Sequence, residues 1–433
     1  ATGYFLMFRV AGTDAGPRSP RVTRWNLATL SVVVLIAASY GAARHFPSTG
    51  LGRDTQLLAL EVGREGVVAV TESDQRGRRI VMNNTYTLGG SRAKLNQERQ
   101  AHLPLLLHGN ARSVATLGVA TGSTVGGVIL HPNVERVDAI ELSPLVVKFA
   151  QEHFGEFNRD VFNDPRVHVI EDDARWVVAQ QTAAYDVVIG DLFMPWETGA
   201  GRVFTREHFE NVRRSLKPGG LYCQWLPMFQ LTRPQYESIL RTFLEVFPDT
   251  FIVRGDFYAT QPILGLVGGR TLNDLDWAAV AAACARLRTS AAVDDPLVRH
   301  VEGVAMMLVG EPVMPANAPL NTLANGWLEF DAGRNIVGLR APWFVGVPYA
   351  THLRELHRAA SVRLPESLRA AHDSGQFFLT LEIAGHINSR ELAALQAQVL
   401  ERLPGSLKTD AAAPWPQWPG RIKPLQTTAT TDH

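Results

Sequence analysis

The sequence predicts an α/β fold in which a parallel sheet of Rossmann-like type is covered by helices on both faces. Short apolar segments alternate with helical segments between about residues 110 and 270. The apolar segments are continuous, as in strands that are buried on both faces of a sheet. The first of them runs into a glycine-rich turn, which is typical of a nucleotide-binding strand–turn–helix unit.

Five strands and five helices make up this region. The predicted strands cover residues 113–117, 136–140, 167–170, 186–189 and 221–225. The predicted helices cover residues 123–130, 144–154, 174–181, 205–216 and 233–247. A helix over 97–108 precedes them, and segments 251–254 and 263–267 are expected to close the sheet as an antiparallel pair.

The flanking regions predict additional units. Residues 58–62, 67–71 and 79–82 alternate with charged and glycine-containing turns, which predicts a small β-meander. Beyond residue 270, helices are expected over 277–287, 353–360, 366–372 and 389–403. We therefore divide the chain into a membrane-associated segment and linker (1–50), a β-meander (51–95), a Rossmann-like nucleoside-binding domain (96–270), a helical C-terminal region (271–407) and a disordered tail (408–433).

Residues 27–43 are uncharged and strongly apolar. Their length is at the short end for a membrane-spanning helix. A signal-type segment and a buried core helix are the alternatives. A second apolar run, residues 4–8, follows a first residue that is not Met, which suggests a fragment of a longer membrane protein. We predict a membrane helix over 27–43.

The composition excludes several classes of function. The chain of 433 residues carries 42 basic and 42 acidic side chains, so it lacks the positive charge that a nucleic-acid partner requires. Its 2 cysteines, Cys223 and Cys284, do not form a CxxC motif or a Cys/His cluster. We therefore expect no nucleic-acid partner, no structural zinc site and no disulfide framework.

Two features of the first strand pair predict a nucleoside site. Gly118 and Gly122 follow the first strand, where small residues let a ligand approach the backbone. A tight turn without a ligand is the alternative. Glu141 ends the second strand about 20 positions later, where a carboxylate can accept bonds from both ribose hydroxyls.

Carboxylates also follow the next two strands. Asp172 and Asp173 come after the third strand and could accept from an adenine amino group, or could cap the next helix. Asp191 ends the fourth strand. Because the carboxyl ends of parallel strands meet at one crevice, Asp191 is expected near Gly118 and Glu141, where it could act as a base. A structural cap of the following loop is the alternative for Asp191.

Several motifs in this order resemble spermidine synthases, the polyamine aminopropyltransferases. The chain segments that carry the resemblance are QE at 97–98 with HLPL at 102–105, VERV before Glu141, DPRVHVIEDDA at 164–174, YDVVIGD at 185–191, FTREHF at 204–209 and LKPGG at 216–220. They lie within about residues 58–268. LFMPW at 192–196 and the stretch from Asn321 to Phe330 resemble the branch that is fused to membrane transporter domains.

The resemblance implies an S-adenosylmethionine-dependent methyltransferase fold and an aminopropyl transfer without metal. Decarboxylated S-adenosylmethionine would be the donor, and a small amine the acceptor. Asp191 matches the family's base and Gln97 its glutamine near the amine. Glu141 matches the ribose-binding acid. Asp173, with Asp172 beside it, matches the adenine contact, and the donor would lie on the turn of Gly118, Thr121 and Gly122. The family also implies a homodimer.

Three positions depart from the family's pattern and keep other functions open. Thr121 replaces an Asp that binds the donor's ammonium, Met194 replaces the second Asp of the loop that follows the fourth strand, and Asn96 replaces a Tyr. Thr121 is compatible with methyl transfer from S-adenosylmethionine itself. A non-catalytic nucleoside-binding module attached to a transporter is the third possibility. We expect a membrane-anchored protein whose catalytic domain faces the cytoplasm, where S-adenosyl compounds are made.

Overall fold

The computed structural model describes residues 54–84, 86–256, 261–338, 342–361, 363–383 and 405. Its strands are β1 Gln56–Gly63, β2 Gly66–Ser73, β3 Gly77–Met82, β4 Tyr86–Gly90, β5 Ser113–Leu117, β6 Arg136–Glu141, β7 Val167–Glu171, β8 Tyr185–Gly190, β9 Leu216–Pro227, β10 Thr250–Arg254, β11 Ile263–Gly268 and β12 Leu308–Gly310.

The α-helices lie between and after these strands. They are α1 Lys94–His108, α2 Ser123–Ile129, α3 Pro144–Asn158, α4 Ala174–Ala179, α5 Arg206–Ser215, α6 Arg233–Val246, α7 Trp277–Arg288, α8 Val301–Met307, α9 Trp327–Gly338, α10 Gly346–Ser361 and α11 Glu366–Ile383. Local sequence explains some helix starts. At α6, for example, Thr232 and Gln235 form a reciprocal capping box.

The larger sheet has eight strands in the order β12-β10-β11-β9-β8-β5-β6-β7. Strands β9, β8, β5, β6 and β7 pair in parallel. The remaining three pair antiparallel at one edge. The predicted α/β class with a parallel sheet is therefore confirmed. The sheet order reverses at β5, because β6 lies on one side of this strand and β8 on the other.

Alternating side chains of the parallel strands enter two apolar cores. In β8, Val187 and Ile189 contribute to one core together with residues of α1, α2 and α7. Val188, which points to the opposite face, joins residues of α5, α6 and α10 in the other core. Both faces of the sheet are thus covered, which explains why its strands read as unbroken apolar runs.

The N-terminal strands form a separate four-stranded antiparallel sheet in the order β1-β2-β3-β4. Val68, Val70 and Ile80 of this sheet pack against Phe149 and Phe154 of α3. The sequence indicated only three of the strands. It missed β4, since Tyr86–Gly90 ends in two glycines, which weaken the pattern of a strand.

The region after residue 270 is not helical throughout. Strand β12, Leu308–Gly310, pairs antiparallel with β10 at the edge of the large sheet. The prediction of a helical C-terminal region over 271–407 did not include this strand. Three residues are too few for a periodic pattern, and the pairing partner lies more than fifty positions away in the sequence. The predicted helix over 389–403 and the tail over 408–433 lie outside the described residues.

The prediction of a membrane-anchored protein is overturned. Among the helices that the structure describes, none is both long enough and apolar enough to span a membrane. The segment 27–43, on which that prediction depended, lies outside the described residues. A short apolar run of this kind is ambiguous in sequence, because it sits at the lower limit for a membrane span.

Candidate functional site

The candidate site lies at the carboxyl ends of β5, β6, β7 and β8. The backbone amide of Gly118, just after β5, donates to the carbonyl of Ile140 in β6 at 2.8 Å. The amide of Asp191, just after β8, donates to the carbonyl of Leu117 at 3.0 Å. These bonds bring Gly118, Glu141 and Asp191 to one edge of the sheet. The place where the strand order reverses is where open α/β sheets bind ligands.

Gly118 is required by its conformation and by its neighbour. Its φ of +89° lies in the region that favours glycine. A Cβ at this position would stand only 3.1 Å from the Cβ of Asp191. The glycine turn and the end of β8 are therefore in close contact.

The rest of the turn is held by a buried asparagine. Gly122 has a φ of +81° and precedes α2. The side chain of Asn158, at the end of α3, donates to the carbonyl of Thr121 at 2.9 Å. Sequence reasoning missed Asn158, whose only signal is a polar residue at the end of an apolar helix face.

Glu141 binds the glycine turn directly. Its Oε2 accepts from the amides of Val119 at 3.0 Å and Ala120 at 3.3 Å, and its Oε1 accepts from the amide of Ser143 at 3.1 Å. Burial raises the pKa of Glu141, and these backbone amides oppose the rise. The Leu142 amide also interacts with this carboxylate, so the backbone around residues 119–120 and 142–143 holds Glu141 in place.

Asp191 has fewer partners. Its Oδ1 accepts from the amide of Leu192 at 2.8 Å, and its backbone carbonyl accepts from Gln224 Nε2 at 3.0 Å. Burial raises the pKa of Asp191 to about 6; the Leu192 amide opposes this and the charge of Glu141 adds to it. A carboxylate with such a pKa can accept and release a proton near neutral pH. Gln224, the polar residue in an otherwise apolar strand, fixes this backbone and was not predicted.

Thr121 and Gln97 contact each other beside the turn. The hydroxyl of Thr121 donates to Gln97 Oε1 at 3.1 Å and lies 3.0 Å from the hydroxyl of Ser123. A Cβ on Gly89 of β4 would stand 2.5 Å from Gln97 Nε2. The end of the small sheet therefore closes over Gln97 and Thr121, and this corner presents uncharged hydroxyl and amide groups.

The two aspartates after β7 have different surroundings. Asp173 caps α4 by accepting from the amide of Arg175 at 2.9 Å, and it pairs with the Arg175 guanidinium at 2.6 Å. Burial opposes ionisation of Asp173, but the arginine outweighs it and the pKa is lowered. Asp172 is exposed and accepts from the amide of Asp173 at 2.7 Å. Asp172 is thus the more accessible acceptor of the two.

Two aromatic side chains, one on β4 and one in the loop after β8, contact each other. Tyr86 of β4 and Trp196, in the loop after β8, meet edge to face with ring centres 5.8 Å apart. The indole of Trp196 donates to Gln230 Oε1 at 3.0 Å. The sequence did not predict this contact of Tyr86, because strand β4 itself was not recognised.

A group of possible metal ligands lies on α10 and α11, on other elements than the crevice. Ligand atoms of His357, His372 and Asp373 are within 4.8 Å of one another. The two imidazoles stack in parallel, with centres 3.6 Å apart and planes at 9°. The lone pair of an imidazole nitrogen lies in the plane of the ring. In two parallel stacked rings the lone pairs therefore lie in separate planes and do not converge on a single metal ion. Burial and then neighbouring positive charge, including that of Arg254, lower the pKa of both histidines. The surroundings therefore disfavour a cation.

Comparisons with known proteins match the same part of the chain. Residues 93–260 match the family model described as spermine/spermidine synthase domain. The polyamine aminopropyltransferase of Aeropyrum pernix is 33% identical over 184 residues, which are 42% of this chain and 58% of that protein. That of Klebsiella pneumoniae is 29% identical over 169 residues, 39% of this chain and 52% of that protein. The chain thus spans little more than half the length of these relatives.

A spermidine synthase structure from Thermotoga maritima aligns with a TM-score of 0.43 and 21% identity, over 49% of this chain and 72% of that one. At this level of similarity it supports no further conclusion about the present chain. The family model and the curated relatives confirm the resemblance that the sequence motifs indicated, whereas the transporter-fused branch stays a prediction. Residues 93–260 of the chain are therefore similar to the spermine/spermidine synthase domain.

Proposed function

We propose that the protein transfers an aminopropyl group from decarboxylated S-adenosylmethionine to an amine, with Asp191 as the base. The observation that carries this proposal is the position of Asp191. Its carboxyl group has a pKa raised to about 6 and stands against the glycine turn, beside Glu141. The similarity of residues 93–260 to the spermine/spermidine synthase domain supports the same type of reaction.

The proposed reaction is a displacement at the carbon next to the donor's sulfonium. The acceptor arrives as an ammonium ion and gives one proton to the Asp191 carboxylate. The nitrogen lone pair then forms the new C–N bond while the C–S bond breaks, and its electron pair neutralises the sulfonium to a thioether. Asp191 returns its proton to water. The sulfonium is the activating group, and the protein contributes orientation and proton transfer.

Other residues would bind the donor. Glu141 would accept a hydroxyl of the ribose, sharing its carboxylate oxygens between the donor and the backbone amides that hold the turn. Asp172 would accept from the adenine amino group, because Asp173 is engaged by Arg175. Gly118, Thr121 and Gly122 would lie against the donor, and Gln97 would orient the amine next to Thr121.

Methyl transfer from S-adenosylmethionine is the second candidate. Thr121 and Gln97 form an uncharged corner where the family has an ammonium-binding aspartate. Such a corner does not repel the carboxylate that S-adenosylmethionine carries and its decarboxylated form lacks. The choice of donor therefore separates the two candidate reactions.

The quaternary structure and domain limits are further proposals. We propose a homodimer, as the family resemblance implies, and a catalytic domain over 96–270 that is preceded by the meander at 51–95 and followed by a C-terminal region from 271. Sedimentation analysis and limited proteolysis of the full chain test these two statements.

The experiment that tests the proposed function uses the full chain and two donors. Decarboxylated S-adenosylmethionine and S-adenosylmethionine are titrated by calorimetry, and each is then incubated with a panel of amines for mass spectrometry. Preferential binding of the decarboxylated donor together with an aminopropylated amine is expected. A methylated product would favour the second candidate, and binding without any product would favour a non-catalytic nucleoside-binding module.

A further inference from the structure

Residues 292–295, in the C-terminal region, contact α1, the helix that carries Gln97. Arg99 of α1 donates through Nε to the carboxylate of Asp295 and through Nη1 to the carbonyl of Gly255 at 2.9 Å. The side chains of Arg99 and Asp295 are only 2% and 3% exposed. A buried ion pair therefore joins α1 to a part of the chain that lies almost 200 positions away in the sequence.

A second arginine connects the same segment to α1. The guanidinium of Arg159 lies 2.9 Å from Glu98 Oε1 and donates to the carbonyl of Ala292 at 2.5 Å. Arg159 directly follows Asn158, whose side chain donates to the carbonyl of Thr121 at 2.9 Å. The C-terminal segment, α1 and the support of the glycine turn thus meet at one guanidinium.

Gln97 lies immediately before these charged residues of α1 and has little room to move. Its Oε1 accepts from the Thr121 hydroxyl at 3.1 Å, and a Cβ on Gly89 would stand 2.5 Å from its Nε2. Residues within one turn of a helix have fixed relative positions. The contacts of Glu98 and Arg99 therefore also determine where Gln97 lies.

The buried pair of Arg99 and Asp295 does more to fix geometry than to stabilise the fold. The loss of hydration of two buried charges largely offsets their attraction, and apolar side chains of similar size can replace such a pair. A guanidinium with two acceptors, however, sets both the distance and the direction between two elements. Residues 292–295 also lie beyond residues 93–260, which match the family model.

We propose that Asp295 is a positioning residue for the amine site, because through Arg99 it fixes α1 and thereby Gln97. This inference rests on the proposed function, in which Gln97 orients the amine. The catalytic domain at 96–270 then depends on a contact that the C-terminal region supplies.

The test uses the full chain and the double variant Arg99→Met/Asp295→Asn. Both charges are removed together, so no buried charge is left without a partner, and an Asn at 295 can still accept from the amide of Leu297. The matched control is Asp294→Asn, since the side chain of Asp294 is 61% exposed and pairs with Lys94 at 3.3 Å. Urea denaturation is expected to show that both proteins are folded.

The double variant is expected to separate the amine from the donor. With saturating donor, kcat/KM for the amine should fall about ten- to a hundred-fold, as for a misplaced orienting group. Donor affinity, measured by calorimetry, should change less than about three-fold, because Glu141 and the glycine turn are unchanged. In a Gln97→Ala background the double variant should cost less than about two-fold more, because its effect acts through Gln97. Asp294→Asn should change none of these quantities.

Arg99→Lys is the second variant in case the double variant does not fold. It keeps a charge opposite Asp295 but loses the planar guanidinium, so kcat/KM for the amine should fall several-fold with donor affinity unchanged. Equal losses for donor and amine, an additive loss in the Gln97→Ala background, or no loss would overturn the inference.

A crystal structure of the double variant gives a readout that does not need transfer. Gln97 is expected to move away from Thr121, and an unchanged contact of 3.1 Å between them would overturn the inference. If the donor binds but no amine reacts with the unchanged protein, the proposed function fails, and this structural comparison still decides whether Asp295 positions Gln97.

Discussion

An aspartate lies at each end of strand β8, and the surroundings shift the pKa values of the two side chains in opposite directions. Asp186, near the start of the strand, accepts from the amides of Arg112 and Ser113, from the Ser113 hydroxyl and from Lys217 Nζ, all at 2.8–3.1 Å. Asp191, just past its end, accepts one amide on its carboxylate. Burial favours the neutral form of both, but the donors outweigh it at Asp186, whose pKa is lowered, and not at Asp191, whose pKa rises to about 6.

This contrast separates a structural carboxylate from one that is available for chemistry. Asp186 uses its acceptor capacity to join β5, β8 and the start of β9. Asp191 keeps most of its acceptor capacity, and the charged group that acts on it, Glu141, is also negative. A proton or a cation that binds to a carboxylate in such surroundings stabilises it. The difference therefore lies in the number of donors around each group.

The largest expected effect comes from the same substitution at the two positions. Asp191→Asn should lower the rate of transfer about 10²- to 10⁴-fold, the usual contribution of a general base. Asp186→Asn should leave the rate within a few-fold, because that side chain lies at the opposite end of the strand. Steady-state rates with saturating donor measure both. An equal loss of transfer rate in the two variants would contradict the assignment of Asp191 as the base and of Asp186 as a structural carboxylate.

The substitution Glu141→Gln tests whether the carboxylate next to Asp191 binds the donor. The amide would keep an oxygen for one backbone donor, but it would place an NH₂ group against others. We expect donor affinity to fall about ten- to a hundred-fold, as for the loss of bonds to a charged group. Calorimetry with the decarboxylated donor is the measurement. An unchanged affinity would mean that Glu141 only holds the glycine turn and does not contact the donor.

The smallest effects concern stability and have opposite signs. Because the pKa of Asp186 is lowered in the folded protein, its carboxylate stabilises the fold above the unfolded pKa of about 4, and this is lost as pH falls further. Asp186→Asn should therefore cost about 1–3 kcal/mol at neutral pH. Asp191→Asn should raise the free energy of unfolding at neutral pH, with the gain shrinking as pH falls from about 6 towards 4.

Urea denaturation of both variants at several pH values gives these quantities. A destabilised Asp191→Asn protein at neutral pH would mean that the Asp191 carboxylate has favourable partners in the fold. The proposal of an available base would then lose its physical basis.

Much of the sheet could be predicted from the sequence, since buried parallel strands leave a strong apolar pattern. The predicted strand over 113–117 coincides with β5. Glu141 and Asp191 were predicted to share one crevice for the same reason, because each lies at the carboxyl end of a parallel strand. Their catalytic and binding roles stay predictions.

Features that depend on tertiary contacts could not be predicted from the sequence pattern. Arg175 follows Asp173 by two residues, but only the folded turn at the start of α4 shows that the two side chains form a salt bridge. The approach of Tyr86 to Trp196 joins positions that are far apart in sequence, on a strand that two glycines disguise. Strand β12 is too short to leave a pattern and exists through its pairing with β10.

The pH dependence of aminopropyl transfer tests the central claim most directly. The initial rate is measured from about pH 4 to about pH 8 for the unchanged protein and for Asp191→Asn, with product identity checked by mass spectrometry. Below a pH of about 6, where Asp191 becomes protonated, the unchanged protein should lose activity about tenfold per pH unit, and the variant should lack this bend. The account would be contradicted by an aminopropylated product whose rate follows the same pH curve in both proteins.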